Sequence, residues 1–174
     1  LDPDGERLGA MVLAAGKAVR LRPLTDDRAK AVVPFLNRPL LDYTLDWLRR
    51  CGFREVWVNL HHQPDSIAGT YGDRAFQMSI RYSAEERLLG TAGGPRRILE
   101  QLRSTTLLIN GDTVSSLALG PLLRQHRSGA LATLALYRGE SSRGYPTVTA
   151  NSAGHLLAFP GDPMPTVERP VQGV

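Results

Sequence analysis

One short segment near the start of the chain combines small residues with cations in a way that suits a phosphate chain. Its small residues are Leu13, Ala14, Ala15 and Gly16, and its cations are Arg20, Arg22 and Lys30. Small residues let a backbone approach a ligand closely, while backbone N–H groups and fixed cations neutralise phosphate oxygens. The spacing is neither GxGxxG nor GxxxxGKS, so it does not support a dinucleotide-binding or Walker loop. On spacing alone, a basic turn with solvated charges remains the alternative.

Lysine usage points to the same segment. Of the 21 basic side chains only Lys17 and Lys30 are lysines, and both lie in this one early loop. A compact ammonium is not interchangeable with the planar guanidinium fork of arginine. The placement therefore hints at a role in this loop that arginine does not fill.

Two later segments carry carboxylates beside glycines. Glu85 precedes Gly90 by five residues and can accept hydrogen bonds from the donor edge of guanine, whereas it would repel the carbonyls of uracil. Guanine is therefore the predicted base, with an exposed acidic turn as the alternative for Glu85 and Glu86. Asp112 closes an Asn-Gly-Asp triplet directly after a buried run. A carboxylate in that place is well suited to Mg²⁺, which prefers oxygen ligands.

Apolar and amphipathic stretches alternate along the chain and predict the elements that position these segments. Predicted strands cover 10–15, 55–60, 78–83, 106–109 and 131–137, and predicted helices cover 39–52, 64–71, 91–102 and 117–126. This alternation predicts an α/β fold with a mostly parallel central sheet flanked by helices. Ligands bind at the carboxyl ends of the strands in such sheets, and the three segments above all fall there. Beyond these elements we expect a hairpin over 145–159, then a loop whose last four residues lead into a further strand.

Composition and charge narrow the expected partners. Residues 1–174 fit a single domain, and 42% hydrophobic with 22% charged residues is typical of a globular protein. The net charge of +4 is scattered without a basic run of five, so no nucleic-acid partner is expected. Neither an apolar run of the ~20 residues of a membrane span nor a secretory signal is visible, so no membrane partner is expected. The single cysteine, Cys51, fits a reducing cytoplasm, and the histidines at 61, 62, 126 and 155 are not spaced to chelate zinc.

The motifs, in this order, resemble those of the sugar-phosphate nucleotidyltransferases. The family signature is usually written LAAGxGTRLRPLT…PKxLxPV, and this chain follows it through LAAG, RLRPLT, Lys30 and Pro34. The similarity continues through 39–45, 58–62, 89–93 and 110–112. It covers roughly residues 10–138 and implies a Rossmann-like nucleotide-diphospho-sugar transferase fold. On that basis 139–174 would begin the sugar-binding part, and the rest of that part would lie beyond Val174.

The resemblance also implies a reaction and a set of site residues. A sugar 1-phosphate would attack the α-phosphate of a nucleoside triphosphate in line, giving a nucleotide sugar and pyrophosphate, with Mg²⁺ as cofactor. By position, the residues bordering the nucleotide would be Leu13, Ala14, Ala15, Gly16 and Gly90. Arg20 would bind the β- and γ-phosphates, Lys30 would bridge the α-phosphate and the sugar phosphate, and Asp112 would hold Mg²⁺. GTP is favoured; UTP, dTTP and CTP stay open, as do the sugar and the oligomeric state, a homo-oligomer included.

The chain departs from the family pattern at several positions. Ala18 stands where the family usually has glycine, Val19 where it has threonine or serine, and Ala29 where proline precedes the lysine. Later, Tyr145-Pro146 replaces the usual Tyr-Gly, which removes an N–H donor, and 168–170 vaguely resembles the family's Glu-Lys-Pro. These departures weaken the expected contacts of the first segment with phosphate.

Two other functions therefore stay open. One is a non-catalytic subunit that binds a nucleotide sugar and regulates a partner, which Ala18 and Val19 favour and the retained cations oppose. The other is a cytidylyltransferase acting on a non-sugar phosphate such as phosphocholine. Because the family's second metal-binding aspartate would lie beyond Val174, the 174-residue chain is expected to bind nucleotide weakly and to turn over negligibly.

Overall fold

The computed structural model describes residues 7–126, 130–136 and 148–159, together with the backbone of 171–172. The chain divides into two compact units, one of residues 7–117 and one formed by 1–6 and 118–174. Every residue predicted to form the site belongs to the first of these units.

The first unit is built on a five-stranded sheet. The unit contains seven strands in all: β1 (Gly9–Leu13), β2 (Pro34–Phe35), β3 (Arg38–Pro39), β4 (Glu55–Leu60), β5 (Arg74–Ala75), β6 (Met78–Ala84) and β7 (Thr106–Asn110). The order in the main sheet is β5-β6-β4-β1-β7, and β6, β4, β1 and β7 run parallel. The short β5 pairs antiparallel with β6, while β2 and β3 form a separate small hairpin. The predicted mostly parallel sheet is therefore confirmed.

The central strands form the core and align the strand ends in one row. Val12, Val56 and Val58 are fully buried, as expected where helices or loops cover both faces of a parallel sheet. In the register, Leu13 lies opposite Asn59 on one side and opposite Asn110 on the other. The carboxyl ends of β1, β4 and β7 therefore meet at one edge of the sheet, where the site segments begin.

Three α-helices accompany the sheet: α1 (Leu40–Arg50), α2 (Pro64–Tyr71) and α3 (Gly90–Arg97). The helix α1 buries Leu41, Leu45 and Leu48 completely, the one-sided stripe that its spacing predicts. It ends at the C-cap Cys51, and Gly52 follows with a φ of 93°, the left-handed conformation that commonly closes a helix. The predicted end of this helix near Gly52 is confirmed.

The helix predicted over 91–102 is shorter than expected. It ends at Arg97, and a separate 3₁₀ turn spans Leu99–Gln101. Three glycines and Pro95 among the eight residues of α3 give it a low helix propensity, and proline removes one intrahelical donor. The helix breaks at Ile98, which has φ −118° and ψ 26°. The apolar stripe predicts a longer helix, but the glycines and the proline outweigh it.

The described part of the second unit contains the helix α4 (Leu119–Gln125) and the short strands β8 (Thr149–Ala150), β9 (His155–Ala158) and β10 (Val171–Gln172). The expected hairpin is confirmed for β8 and β9, which pair antiparallel around a turn where Asn151 Oδ1 accepts from the N–H groups of Ala153 and His155. The backbone of β10 pairs antiparallel with β9, so 171–172 already form a strand where the sequence indicates only a loop leading into one. Tyr145, Pro146 and 168–170 lie outside the described residues.

The predicted strand over 131–137 is not observed in its described part, 131–136. Leu131 is 95% exposed, so the apolar alternation there does not correspond to a buried face. A strand requires a partner for its backbone groups, and local periodicity does not supply one.

None of the helices in the described ranges is long and apolar enough to cross a membrane.

Candidate active site

A cleft of about 390 Å³ opens at the carboxyl ends of the parallel strands, within the first unit. Eight of the nine predicted site residues line it: Leu13, Ala14, Ala15, Gly16, Arg20, Lys30, Gly90 and Asp112. Asn59, Thr91, Asn110 and Gly111 also border it. The structure therefore brings the three separate sequence segments together in one place, which is what the strand-end argument predicts.

The loop after β1 packs tightly against the Asn-Gly-Asp turn after β7. Gly111 N–H donates to the carbonyl of Leu13 at 2.9 Å. A Cβ built on Gly111 would lie 3.0 Å from Val12 Cγ1 and 3.4 Å from Ala14 Cβ. Glycine at 111 therefore permits this close approach of the two segments, and the approach places Asp112 at the cleft.

The residue of the first loop with a left-handed backbone conformation is Ala18, and not Gly16. Ala18 has φ 49° and ψ 35°, whereas Gly16 does not take a left-handed φ. This conformation costs an L-residue about 1 kcal/mol, which explains why glycine suits this position in the family pattern. The turn is kept by the carbonyl of Ala18, which accepts from Thr25 Oγ1 at 3.1 Å and from Leu21 N–H at 2.9 Å. Arg20 follows in the 3₁₀ turn that begins at Val19.

Lys30 and Asp112 form an ion pair at the floor of the cleft. The Nζ–Oδ2 distance is 2.6 Å, and the two side chains are 36% and 40% exposed. Each charge is therefore balanced by the other, yet both remain accessible to a ligand. The accessible carboxylate of Asp112 fits Mg²⁺, which binds through one or two carboxylates plus phosphate oxygens and keeps several waters. Across the described ranges no three His, Cys, Asp or Glu side chains gather into a fuller metal cluster.

The backbone before Lys30 is held by Ser66 of α2. Ala29 is fully buried, and its N–H donates to Ser66 Oγ at 2.9 Å, while Ser66 Oγ donates to the carbonyl of Gln63 at 2.6 Å. The φ of Ala29 is −68°, the value that a proline ring imposes. The chain thus keeps the backbone conformation of the family's proline, and Ser66 accepts the extra N–H donor.

Glu85 is the one predicted site residue that does not line the cleft. It is 4% exposed, and both carboxylate oxygens accept hydrogen bonds from the protein. Asn59 Nδ2 donates to Oε1 at 2.8 Å and Leu89 N–H donates to Oε2 at 2.9 Å. In this structure the Glu85 carboxylate is therefore held by Asn59 and Leu89 and does not face the cleft, and its contact with a guanine edge stays a prediction.

Asn59 also lies at the cleft, although it is not among the nine predicted site residues. It is 3% exposed, and its Oδ1 accepts from Ala14 N–H at 2.6 Å. The available signal was an amide side chain inside the otherwise apolar run of β4, since a buried polar group requires a partner.

The adjacent histidines His61 and His62 each hydrogen-bond to a backbone carbonyl in a different loop. His61 Nδ1 bonds to the carbonyl of Glu85 at 2.9 Å, and His62 Nε2 bonds to the carbonyl of Thr25 at 2.8 Å. Since a carbonyl only accepts, each ring donates a proton at that nitrogen. Each of these two histidines therefore bonds to the backbone of a different loop.

The chain matches the family model described as nucleotidyl transferase over residues 9–166, and it belongs to that family. A mannose-1-phosphate guanylyltransferase of Mycobacterium tuberculosis is 34% identical over 156 residues, covering 88% of this chain and 44% of the relative. A UTP–glucose-1-phosphate uridylyltransferase of Synechocystis is 32% identical over 170 residues, with the same coverages. A D-glycero-α-D-manno-heptose 1-phosphate guanylyltransferase of Aneurinibacillus thermoaerophilus is 32% identical over 155 residues, covering 86% of this chain and 66% of the relative.

Among solved structures, HddC from Yersinia pseudotuberculosis superposes with a TM-score of 0.72 at 20% identity, covering 88% of this chain and 68% of HddC. The resemblance and the fold class stated from the sequence are therefore confirmed. The chain spans less than half the length of the first two curated relatives.

Proposed function

We propose that this chain carries the nucleotide-binding and catalytic part of an enzyme that transfers a nucleoside monophosphate to a sugar 1-phosphate. A phosphate oxygen of the sugar phosphate attacks the α-phosphorus, the bond from that phosphorus to the bridging oxygen breaks, and pyrophosphate leaves. The attacking oxygen is already an anion, so positioning and charge stabilisation carry the reaction. The observation behind this proposal is the cleft that gathers Arg20, Lys30 and Asp112 beside a loop of small residues.

Each charged residue has a separate role in this proposal. Arg20 binds the β- and γ-phosphates and stabilises the departing pyrophosphate, because a guanidinium matches paired phosphate oxygens. Lys30 exchanges Asp112 for the α-phosphate and the sugar phosphate, since its ammonium is accessible at the cleft floor. Asp112 would hold Mg²⁺, which would neutralise charge on the phosphate oxygens.

The small residues of the first loop and Gly90 border the base and ribose. Gly90 has a φ of 76°, and a Cβ there would meet nothing within 4 Å, so its side of the cleft is open to a flat group. The guanylyltransferases among the relatives favour GTP over UTP, dTTP and CTP as the substrate. Because one relative is a uridylyltransferase, UTP is the next candidate. A cytoplasmic location is proposed from the single cysteine.

A panel of four nucleoside triphosphates against a panel of sugar 1-phosphates tests this function. Pyrophosphate release by the full-length protein, dependent on Mg²⁺ and on the sugar phosphate, is the expected result. Binding of a nucleotide sugar without turnover in any combination would instead establish a regulatory subunit. Turnover with CTP and phosphocholine, and none with sugar phosphates, would replace the sugar by a non-sugar substrate.

A further inference from the structure

We infer that Asn59 and Glu85 are positioning residues that fasten the loop after β1 to the loop before α3, and thereby fix the width of the nucleotide cleft. This inference rests on the proposed function, because it concerns how the same cleft is held in shape. It reassigns Glu85 from reading the base to holding the walls between which the base lies.

Three hydrogen bonds connect the two loops without a gap. Ala14 N–H donates to Asn59 Oδ1 at 2.6 Å, Asn59 Nδ2 donates to Glu85 Oε1 at 2.8 Å, and Leu89 N–H donates to Glu85 Oε2 at 2.9 Å. Ala14 and the neighbour of Leu89, Gly90, both line the cleft. Asn59 and Glu85 are 3% and 4% exposed, so water does not replace these bonds readily.

The polarity of this network requires a carboxylate at position 85. Its two ends are backbone N–H groups, which only donate. The amide of Asn59 must therefore turn its oxygen towards Ala14 and its nitrogen towards Glu85, and Glu85 must accept twice. A glutamine at 85 would present one donor to Asn59 Nδ2 or to Leu89 N–H and leave a buried donor without an acceptor.

The surroundings of Glu85 prevent its carboxylate from turning into the cleft. Its own N–H donates to the carbonyl of Leu60 at 2.7 Å, and its carbonyl bonds to His61 Nδ1 at 2.9 Å. From the other side α3 closes over the pair at Gly94. A Cβ at Gly94 would lie 2.7 Å from Asn59 Nδ2 and 2.9 Å from Glu85 Oε1. The absence of a side chain at position 94 therefore leaves room for the Asn59–Glu85 pair.

A set of four variants tests the inference by nucleotide binding calorimetry. Glu85→Gln should lower the affinity for GTP, UTP, CTP and dTTP to a similar extent, by about tenfold. The reason is that it loosens the cleft without changing a contact to the base. Glu86→Gln, a charge-matched change at the exposed neighbour, should leave binding unchanged. Asn59→Asp alone should also weaken binding, because two carboxylates then face each other. The exchange N59D/E85Q keeps the net charge and restores an acceptor for every donor, so it should recover affinity to within about threefold.

Amide hydrogen exchange supplies a readout that does not depend on any nucleotide. The Ala14 and Leu89 amides should exchange slowly in the ligand-free chain, faster in E85Q, and slowly again in N59D/E85Q. In full-length enzyme, E85Q should raise KM for the triphosphate and leave KM for the sugar phosphate unchanged.

Three results would overturn the inference. A loss of GTP affinity in E85Q with unchanged UTP affinity would mean that the carboxylate reads the base. If N59D/E85Q melted like the unsubstituted protein but bound nucleotide as weakly as E85Q, the hydrogen-bond network would have no role in binding. If the Ala14 and Leu89 amides exchanged at unchanged rates in E85Q, the hydrogen bonds would not connect the two loops. If the unsubstituted protein bound no nucleotide, the proposed function would fail while the exchange experiment still decided the connection.

Discussion

The two sides of the cleft hold their charges in opposite ways. On the side of the loops after β1 and β7, Lys30 and Asp112 are paired with each other but remain 36% and 40% exposed. On the side of the loop before α3, Glu85 is 4% exposed and both its oxygens are bound by the protein. The first arrangement suits charges that exchange partners when a ligand arrives, and the second suits a charge that fixes shape. The role of a carboxylate near a cleft is therefore inferred from its exposure and its hydrogen-bond partners, and not from its distance to the cleft alone.

We call the side with Lys30 and Asp112 the exchangeable side and the side with Glu85 the fixed side. The largest effect is expected for Lys30→Ala, on the exchangeable side. Turnover of the full-length enzyme should fall by about a hundredfold or more, because the transition state loses a cation at the reacting phosphate. The melting temperature should stay within a few degrees, since the ion pair is exposed and contributes little to stability. Lys17→Ala is the matched control, because Lys17 is the only other lysine and does not line the cleft. Equal losses in the two variants, measured by steady-state pyrophosphate release, would remove Lys30 from the chemistry.

Asp112→Asn separates the two partners of the same pair. Mg²⁺-dependent turnover should fall steeply because the metal loses its carboxylate ligand. In metal-free buffer the same variant should bind nucleotide at least as tightly as the unsubstituted chain, because Lys30 is no longer neutralised. Calorimetry with and without Mg²⁺ measures both effects. Normal Mg²⁺-dependent activity in this variant would mean that Asp112 is only part of the turn after β7.

Gly94→Ala probes the fixed side by overpacking it. The added methyl would lie 2.7 Å from Asn59 Nδ2, so the free energy of unfolding should fall by about 1–3 kcal/mol. Gly69→Ala in α2 is the control, because the added methyl would meet no other part of the molecule within 4 Å. That change should be neutral or stabilising by about 0.5 kcal/mol, since alanine is the better helix former. Urea denaturation of both variants gives the comparison, and equal effects would contradict the tight packing at Gly94.

Ser66 connects the exchangeable side to the fold through the backbone of Ala29. Ser66→Ala should cost about 1–2 kcal/mol of stability because the buried N–H of Ala29 loses its acceptor. Adding Ala29→Pro to that variant should recover stability, because proline has no N–H and matches the φ of −68°. With Ser66 present, Ala29→Pro should instead destabilise, since its ring would meet Ser66 Oγ. Thermal unfolding of the three variants checks this reversal of sign, and additive effects would argue against it.

The smallest expected effect belongs to Ala18→Gly. Relief of the left-handed φ of 49° should exceed the extra chain entropy of glycine only slightly, stabilising the protein by about 0.5 kcal/mol. Ala68→Gly, within α2, should have the opposite sign and cost about 1 kcal/mol. A destabilised A18G in the same denaturation assay would show that the turn depends on the alanine methyl.

The sequence predicts the parallel sheet and places eight of the nine predicted site residues at one cleft, because both depend on local patterns. Apolar runs identify the strands, and strand ends in a parallel sheet meet at one edge. It does not predict the environment of Glu85, because the direction of that side chain is decided by Asn59, 26 positions earlier, and by Gly94 on the other side. For the same reason, apolar alternation at 131–136 predicts a strand that is absent, since pairing depends on a distant neighbour.

The Lys30–Asp112 pair also makes the two ligands of the proposed reaction thermodynamically linked. A phosphate that takes Lys30 leaves Asp112 without its counterion, and a metal that takes Asp112 does the same to Lys30. Each ligand therefore removes the competitor of the other, and the two should bind with positive cooperativity. Linkage is reciprocal, so nucleotide must raise the affinity for Mg²⁺ by the same factor by which Mg²⁺ raises that for nucleotide. A single exposed ion pair thus favours loading of both ligands together and disfavours either one alone.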